Sequence, residues 1–225
     1  MAFFKSGDFK ECVKTLKNAT NTTTPNFYGL YILCEAYKKL NDNTGVEIAA
    51  SEALKFVAKI KNQEKRSAVS DSLRLDLVSS LYSQLNCDKM KRALEVINNL
   101  SSKLTGDLNL IYVKILANLG MHDKLETAME DNDFSNSEQS LVKALALKSS
   151  GDIEQSMKIM KTILADSPDN FEVSVLLAQM LYDRTDKEEA FGLFLKAAKL
   201  NPSHWIPFYY LGKMIFIQTH YLFKE

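Results

Sequence analysis

The feature that most restricts the fold of this chain is a period of 34 residues near its carboxyl end. Pro168 and Pro202 are 34 positions apart (202 minus 168), and each follows a long segment with helical spacing of apolar residues. A period of this length is typical of helix pairs that stack in a row, each pair hiding its apolar side against the next. The chain also has only 8 Gly and 4 Pro in 225 residues, which favours helices joined by short turns over a sheet with many turns.

The residues between these prolines match the tetratricopeptide signature, in which small, aromatic and proline residues recur at set positions. The signature residues of this unit are Leu177, Ala178, Ala190, Phe194, Ala197 and Pro202, and the next unit opens with Phe208, Leu211, Gly212 and Ile215. Two consecutive units in register predict a repeat rather than a chance match.

The small, aromatic and proline residues of this signature each have a physical role. Ala178, Ala190 and Gly212 are predicted to lie where two helices cross closely, because a larger side chain would separate them. Phe194 fills the space beside these contacts, and Pro202 ends one helix and directs the chain into the next. A single helix pair cannot bury its own apolar stripe, so the order of residues is explained by stacking of neighbouring pairs.

The same alternation of helices and turns extends towards the amino end. A first helix is predicted over "FYGLYILCEAYKKLND", and its partner "GVEIAASEALKFVAKI" supplies Ala50 and Ala53 as small contacts. Another first helix is predicted over "LRLDLVSSLYSQLN", where Ser79 and Tyr82 take the small and aromatic positions. We therefore predict an all-α fold, a tetratricopeptide-like α-α superhelix that forms a right-handed solenoid of antiparallel helix pairs. It is expected to be a single domain over residues 1–225 with six to seven helix pairs, most regular over 137–219.

Both ends of the sequence are predicted to hold incomplete helix pairs. Solenoids normally finish with polar capping helices, because the last apolar face is otherwise exposed. The carboxyl-terminal segment has no such polar face, and its apolar residues are Tyr210, Ile215, Phe216, Ile217, Tyr221 and Phe223. We expect an internal or truncated piece of a longer repeat protein that tends to self-associate when made alone.

The overall charge and the cysteines favour an ordinary water-soluble chain. Lysine and arginine together number 28, as do aspartate and glutamate, so no net charge attracts nucleic acid or anionic lipid. No apolar run is long enough to span a bilayer, and the amino end lacks the layout of a signal peptide. The three cysteines, Cys12, Cys34 and Cys87, form no CxxC pair and favour a reducing, cytoplasmic location, with which a nuclear pool is also compatible.

The sequence holds no constellation that indicates catalysis. The three histidines, His122, His204 and His220, share no metal-ligand spacing, and there is no Gly-rich phosphate loop and no GxSxG. His204 stands beside a predicted helix start, where a structural role is expected. We therefore predict no enzyme activity, no catalytic residue, no metal or cofactor, no membrane contact and no small-molecule substrate.

The groove-facing positions of the first helices are the predicted protein-binding site. The candidate partner-binding residues are Tyr182, Tyr209, Lys213 and Phe216, and further predicted lining positions are Leu141, Leu145, Glu172, Val175 and Gln179. This mixed, rather apolar lining favours a protein segment over the anionic tail that chaperone adaptors bind with clusters of Lys and Asn. A chaperone adaptor, or another tetratricopeptide partner-binding module unrelated to RNA decay, stays the alternative. An equally open interpretation is that these aromatic residues pack only within their own stack.

A basic segment over residues 55–66 raises the question of RNA contact. Its cationic residues are Lys55, Lys59, Lys61, Lys65 and Arg66. A solvated helix end with a favourable dipole explains such a cluster, and the neutral overall charge argues against a nucleic-acid surface. Direct contact with nucleic acid is not expected.

A family resemblance adds to this interpretation. The stretch from "KALALKSSGDIEQSMKIMKTILADSPDN" through "FLKAAKLNPSHWIPFYYLG", and the earlier "LCEAYKKLNDNTGVEIAASEALKFV", resemble the tetratricopeptide scaffold subunit of the superkiller complex. The resemblance implies a non-catalytic scaffold that holds an RNA helicase and beta-propeller subunits together. It also implies a role in cytoplasmic 3′-to-5′ mRNA decay by the exosome, that is, in RNA catabolism.

Overall fold

The computed structural model describes residues 2–22, 26–57, 60, 63–100, 104, 106–184 and 186–222. These residues form thirteen α-helices and no strand. The helices are α1 Ala2–Lys5, α2 Phe9–Thr22, α3 Phe27–Lys39, α4 Asn43–Val57, α5 Gln63–Ser83, α6 Cys87–Asn98, α7 Asp107–Asn118, α8 His122–Glu130, α9 Asn136–Ser150, α10 Ile153–Asp166, α11 Phe171–Asp183, α12 Lys187–Leu200 and α13 Trp205–Leu222. The prediction of an all-helical fold is confirmed for this part of the chain.

The chain forms two compact units, Met1–Ile115 and Leu116–Glu225. In the first unit α2 packs on α3, α3 on α4, α4 on α5 and α5 on α6. In the second unit α9 packs on α10, α10 on α11, α11 on α12 and α12 on α13. Within each unit, helices that are neighbours in sequence are therefore neighbours in space, as in tetratricopeptide-like stacks of helical hairpins.

In each helix pair, the first turn of the second helix determines which side of that helix is buried. In four of these helices a side chain just before the helix accepts a hydrogen bond from the backbone N–H three positions on, which satisfies an N–H that the helix leaves unpaired. The residues that precede the second helices are Asp8, Asp42, Asn86, Met121, Asp152 and Asp186. The residue four positions later is buried in all six: Cys12, Val46, Met90, Leu125, Ser156 and Ala190. The start of the helix thus determines which side chains enter the core.

The predicted signature residues of α11 and α12 lie in the core of the second unit. The side chains with 0 or 1% exposure are Leu177, Ala178, Ala190, Phe194 and Ala197, and Leu211 of α13 is also buried. Pro202 is exposed in the turn between α12 and α13. Because a proline restricts the residue before it to extended conformations, Asn201 (φ −137°, ψ 86°) lies outside the helix that ends at Leu200.

Gly212 departs from the expected role of a small residue at a close helix crossing. It is exposed, and a Cβ built on it would meet no atom within 4 Å. Among the described residues, no helix packs on this side of α13 at Gly212. The close approach occurs instead at Gly45 of α4, where a Cβ would lie 2.3 Å from Cδ1 of Tyr37 on α3.

The predicted small position of α5 was wrong by one residue, although Tyr82, the predicted aromatic position, is buried. Val78 and Leu81 are fully buried, while Ser79 is only half-buried. Val78 stands eight positions before the cap Asn86 (86 minus 78), as Ala178 stands eight before Asp186 (186 minus 178). The distance to the next helix start therefore predicts the buried position better than the size of the residue does.

A buried carboxylate connects α4 to α6 in the first unit. Glu47 is 6% exposed, and its Oε1 accepts hydrogen bonds from Lys89 Nζ at 2.7 Å and Arg92 Nη1 at 2.6 Å. Its Oε2 accepts from Gln84 Nε2 at 2.8 Å. Burial opposes the charge of Glu47, but these donors and the two cations outweigh burial and lower its pKa. The network fixes the relative position of two helices that do not follow each other in sequence.

Candidate protein-interaction surface

The four predicted partner-binding residues lie on two first helices of the second unit. Tyr182 is in the last turn of α11, and Tyr209, Lys213 and Phe216 are on α13. Asn170 starts α11, since its side chain accepts a hydrogen bond from Val173 N. The start of α13 is fixed differently, by a buried histidine described below.

Tyr210 attaches α13 to the helices beneath this surface. Its ring stacks on Phe194 of α12, with 4.7 Å between centroids and 8° between planes. The ring of Tyr182 meets it edge-on at 5.2 Å, an arrangement that aromatic quadrupoles favour. Burial raises the pKa of the Tyr210 hydroxyl, and the nearby charge of Asp183 raises it further. These rings hold α11 and α13 in a fixed relation.

Two lysines flank the exposed side of Tyr182. The Nζ atoms of Lys213 and Lys187 lie 5.2 Å and 6.0 Å from its ring centroid, within the range of cation–π attraction. The interaction with the Tyr182 hydroxyl raises the pKa of Lys213. Within the described part of the chain, neither lysine forms an ion pair with a carboxylate. Two ammonium groups therefore lie beside the aromatic rings of this surface.

Exposed rings extend this surface along α13. Tyr209 is 54% exposed and Phe216 69% exposed. Trp205, which the sequence analysis did not select, is 55% exposed and contacts Tyr209 edge-on at 6.0 Å between centroids. Its spacing of four from Tyr209 is the signal that could have identified it. Lys187 was also missed, because it reaches Tyr182 through the fold rather than through helical spacing.

Three of the further predicted lining positions are not on the surface. Leu141, Leu145 and Val175 are 5% exposed or less, so they belong to the core and cannot contact a partner. Glu172 and Gln179 are partly exposed. These apolar positions point inward because α9 packs on α10, and α11 packs on both α10 and α12.

The histidine beside the predicted helix start and one lysine of the basic segment make contacts within their own units. His204 is buried, and its Nδ1 accepts a hydrogen bond from Ile206 N–H at 3.4 Å while its ring lies 4.9 Å from that of Phe171. It thus starts α13. Lys55 pairs with Glu52. Lys59, Lys61 and the side chains of His220, Tyr221 and Phe223 lie outside the described residues.

The described ranges were also compared with the requirements of a metal-ligand cluster and of a membrane-spanning helix. No group of three or more His, Cys, Asp or Glu side chains there is arranged to hold a metal ion. The helices of this part of the chain lack the length and apolar character needed to cross a bilayer. The aromatic surface on α11 and α13 therefore stays the best-supported functional feature.

The chain was compared with protein families, curated proteins and solved structures. No protein-family profile matches the sequence, and no curated protein matches it. Among solved structures, the chain is similar to YrrB, a tetratricopeptide protein described as having an unusual peptide-binding site, with 13% sequence identity and a TM-score of 0.36. The match covers 88% of this chain and 97% of that one. The tetratricopeptide-like arrangement itself is seen in the packing of neighbouring helices and in the buried signature residues.

Proposed function

We propose that this chain is a non-catalytic scaffold that binds protein segments through the surface formed by Tyr182, Lys187, Tyr209, Lys213 and Phe216. The observation that carries the proposal is the position of two ammonium groups around Tyr182, beside the exposed ring of Tyr209. Tyrosine is enriched among the binding hot spots of proteins, and an ammonium group beside an exposed ring can pair with a carboxylate of the bound segment. Stacked helical hairpins supply a rigid support for such a surface.

We further propose that the assembly is of the superkiller type and supports cytoplasmic 3′-to-5′ mRNA decay by the exosome. The support is the resemblance of two long stretches of the sequence to that scaffold subunit. The partners would be an RNA helicase and beta-propeller subunits. RNA itself would be bound by the helicase and the exosome, since the chain carries no net charge.

A binding measurement with matched variants tests the surface. The 225-residue chain would be immobilised and exposed to purified helicase and beta-propeller subunits of a superkiller complex. Lys213→Glu and Tyr209→Ala should each weaken binding about tenfold or more, the loss typical of hot-spot residues. Lys158→Glu, which changes an exposed lysine on α10 by the same charge, should leave binding unchanged.

The two parts of the proposal fail in different ways. Equal binding by Lys213→Glu and Lys158→Glu would contradict the surface. Failure of the wild-type chain to bind either subunit would contradict the superkiller assignment. Capture of a chaperone's acidic tail peptide, lost on Lys213→Glu, would instead support the chaperone-adaptor alternative.

A further inference from the structure

The outward face of α13 carries a second, largely apolar surface. Six exposed residues lie on this face at spacings of three and four, which places them along one side of a helix. They are Trp205, Phe208, Tyr209, Gly212, Ile215 and Phe216. The opposite side of α13, which includes Ile206 and Leu211, is buried in the second unit. This outward face is thus separate from the side that holds α13 in place.

The apolar residues of this face are placed symmetrically about Gly212. Phe208 and Phe216 stand four positions before and after it, and Tyr209 and Ile215 stand three positions before and after it. In an antiparallel pair of identical helices that cross at Gly212, Phe208 lies beside Ile215 of the other copy, and Tyr209 lies beside Phe216 of the other copy. A two-fold interface requires a surface that is complementary to itself, and this spacing provides one.

Gly212 supplies the space that such a crossing needs. A Cβ at this position would meet no atom of the second unit within 4 Å, so the backbone itself is open to a partner. Helices pack 8–10 Å apart depending on the side chains at the contact, and glycine permits the closest approach. Large rings on both sides of the glycine would then fit beside the crossing point of the other copy.

The charge on this face is also compatible with a second copy. Among residues 205–217, Lys213 is the only charged residue, and its ammonium lies over Tyr182 at the edge of the face. Two copies therefore meet without like charges at the centre of the contact. A strongly charged partner would find no matching charge there.

The area of the face is close to what a specific dimer requires. An aromatic side chain buries about 150–250 Å² when fully covered, and the five large residues are between 50% and 69% exposed. Covering them removes about 500 Å² per copy, or about 1,000 Å² in total. That total lies at the lower limit for a biological interface, so a dimer that dissociates in the micromolar range is expected.

We propose that two copies of this chain associate through their α13 helices, which pack antiparallel and cross at Gly212. This goes beyond the proposed scaffold function, and the dimer face shares Trp205, Tyr209 and Phe216 with the candidate partner surface. Self-association and partner binding would therefore compete. Gly212 belongs to the dimer face alone, so its variants separate the two proposals.

Sedimentation equilibrium of the 225-residue chain tests the dimer. The wild-type chain should show a monomer–dimer equilibrium in the micromolar range. Gly212→Glu brings two carboxylates together at the crossing and should weaken dimerisation by tenfold or more, since like charges in contact cost several kcal/mol. Gly192→Glu is the matched control, because Gly192 is also helical, exposed and without an atom within 4 Å of a built Cβ. A monomer at all concentrations, or equal dissociation constants for the two variants, would overturn the proposal.

Disulfide cross-linking tests the antiparallel geometry and does not depend on Gly212. Phe208→Cys and Ile215→Cys would be made separately in a Cys87→Ser background, which removes the exposed native thiol. A mixture of the two variants should cross-link faster than either variant alone. Faster linkage of Phe208→Cys to itself would indicate a parallel pair, and linkage that is equal in all mixtures would indicate random collision; either result contradicts the proposal.

Discussion

The ring of Tyr37 occupies the space that a side chain on Gly45 would need. A Cβ at Gly45 would lie 2.3 Å from Cδ1 and 2.5 Å from Cγ of this ring. Both residues are buried, so α3 and α4 are in direct contact at this point. The N–H of Gly45 also donates to Asp42 Oδ1 at 2.8 Å, which ties the glycine to the helix start.

Gly45→Ala should therefore destabilise the first unit. Overpacking of a filled core costs about 1–3 kcal/mol, while the helix itself would gain about 1 kcal/mol from alanine. We expect a net loss, visible as a lower urea midpoint by circular dichroism. Gly192→Ala, at an open helical site, should be neutral or stabilising. A Gly45→Ala chain as stable as the Gly192→Ala chain would show that Tyr37 moves aside without cost.

Ala178→Leu should disrupt the seam between α11 and α12. Ala178 has no exposed surface, so three additional carbon atoms must displace neighbouring side chains, at about 1–3 kcal/mol. Thermal unfolding followed by circular dichroism would show a lower midpoint. The control is Ala165→Leu at an exposed position of α10, where little change is expected. Equal midpoints would mean that the seam is not closely packed at Ala178.

Glu47 should make the stability of the first unit depend on acid pH. Its pKa in the folded chain is below the ordinary value of 4.5, so its stabilising contribution is complete above pH 4.5. That contribution is lost as the pH falls from 4.5 through the folded pKa. Glu47→Gln should cost about 1.5–3 kcal/mol at neutral pH, the range for hydrogen bonds to charged groups.

Urea unfolding at several pH values tests this expectation. The difference between wild type and Glu47→Gln should shrink as the pH falls below 4.5. Glu95→Gln is the control, since Glu95 lies exposed on α6. A difference that stays constant down to strongly acid pH would exclude the charge of Glu47 as its source.

Tyr182→Phe should lower the pKa of Lys213. The Tyr182 hydroxyl is the main cause that raises this pKa above its ordinary value of 10.5, so removing the oxygen should return it towards that value. Because the folded pKa is the higher one, the interaction stabilises the fold below about pH 10.5 and is lost as the pH rises further. A carbon-13 NMR titration of the lysine side chains measures the shift. Tyr28→Phe, in the other unit, should leave the Lys213 titration unchanged.

The helical fold could be predicted because the repeat places similar residues at regular intervals in the sequence. Helix pairs are indicated by the spacing from Pro168 to Pro202 and by the small residues Ala178 and Ala190. This inference does not require knowledge of the helices that pack against the pair. The predicted surface was less accurate, because Val175 and Tyr182 both stand on the same helix and only one of them reaches solvent. Exposure depends on which helices cover a given side, and the helix period alone does not specify that.

Local sequence was sufficient for the all-helical fold and for the signature residues of the α11–α12 core, since these follow from spacing and from the size of side chains. Long-range packing was needed to establish the open backbone at Gly212, the lysines around Tyr182 and the partners of Glu47. Lys89 lies 42 positions from Glu47, and no pattern within one repeat relates the two residues. Such contacts arise only when separate helices come together, because burial and charge pairing belong to the assembled stack.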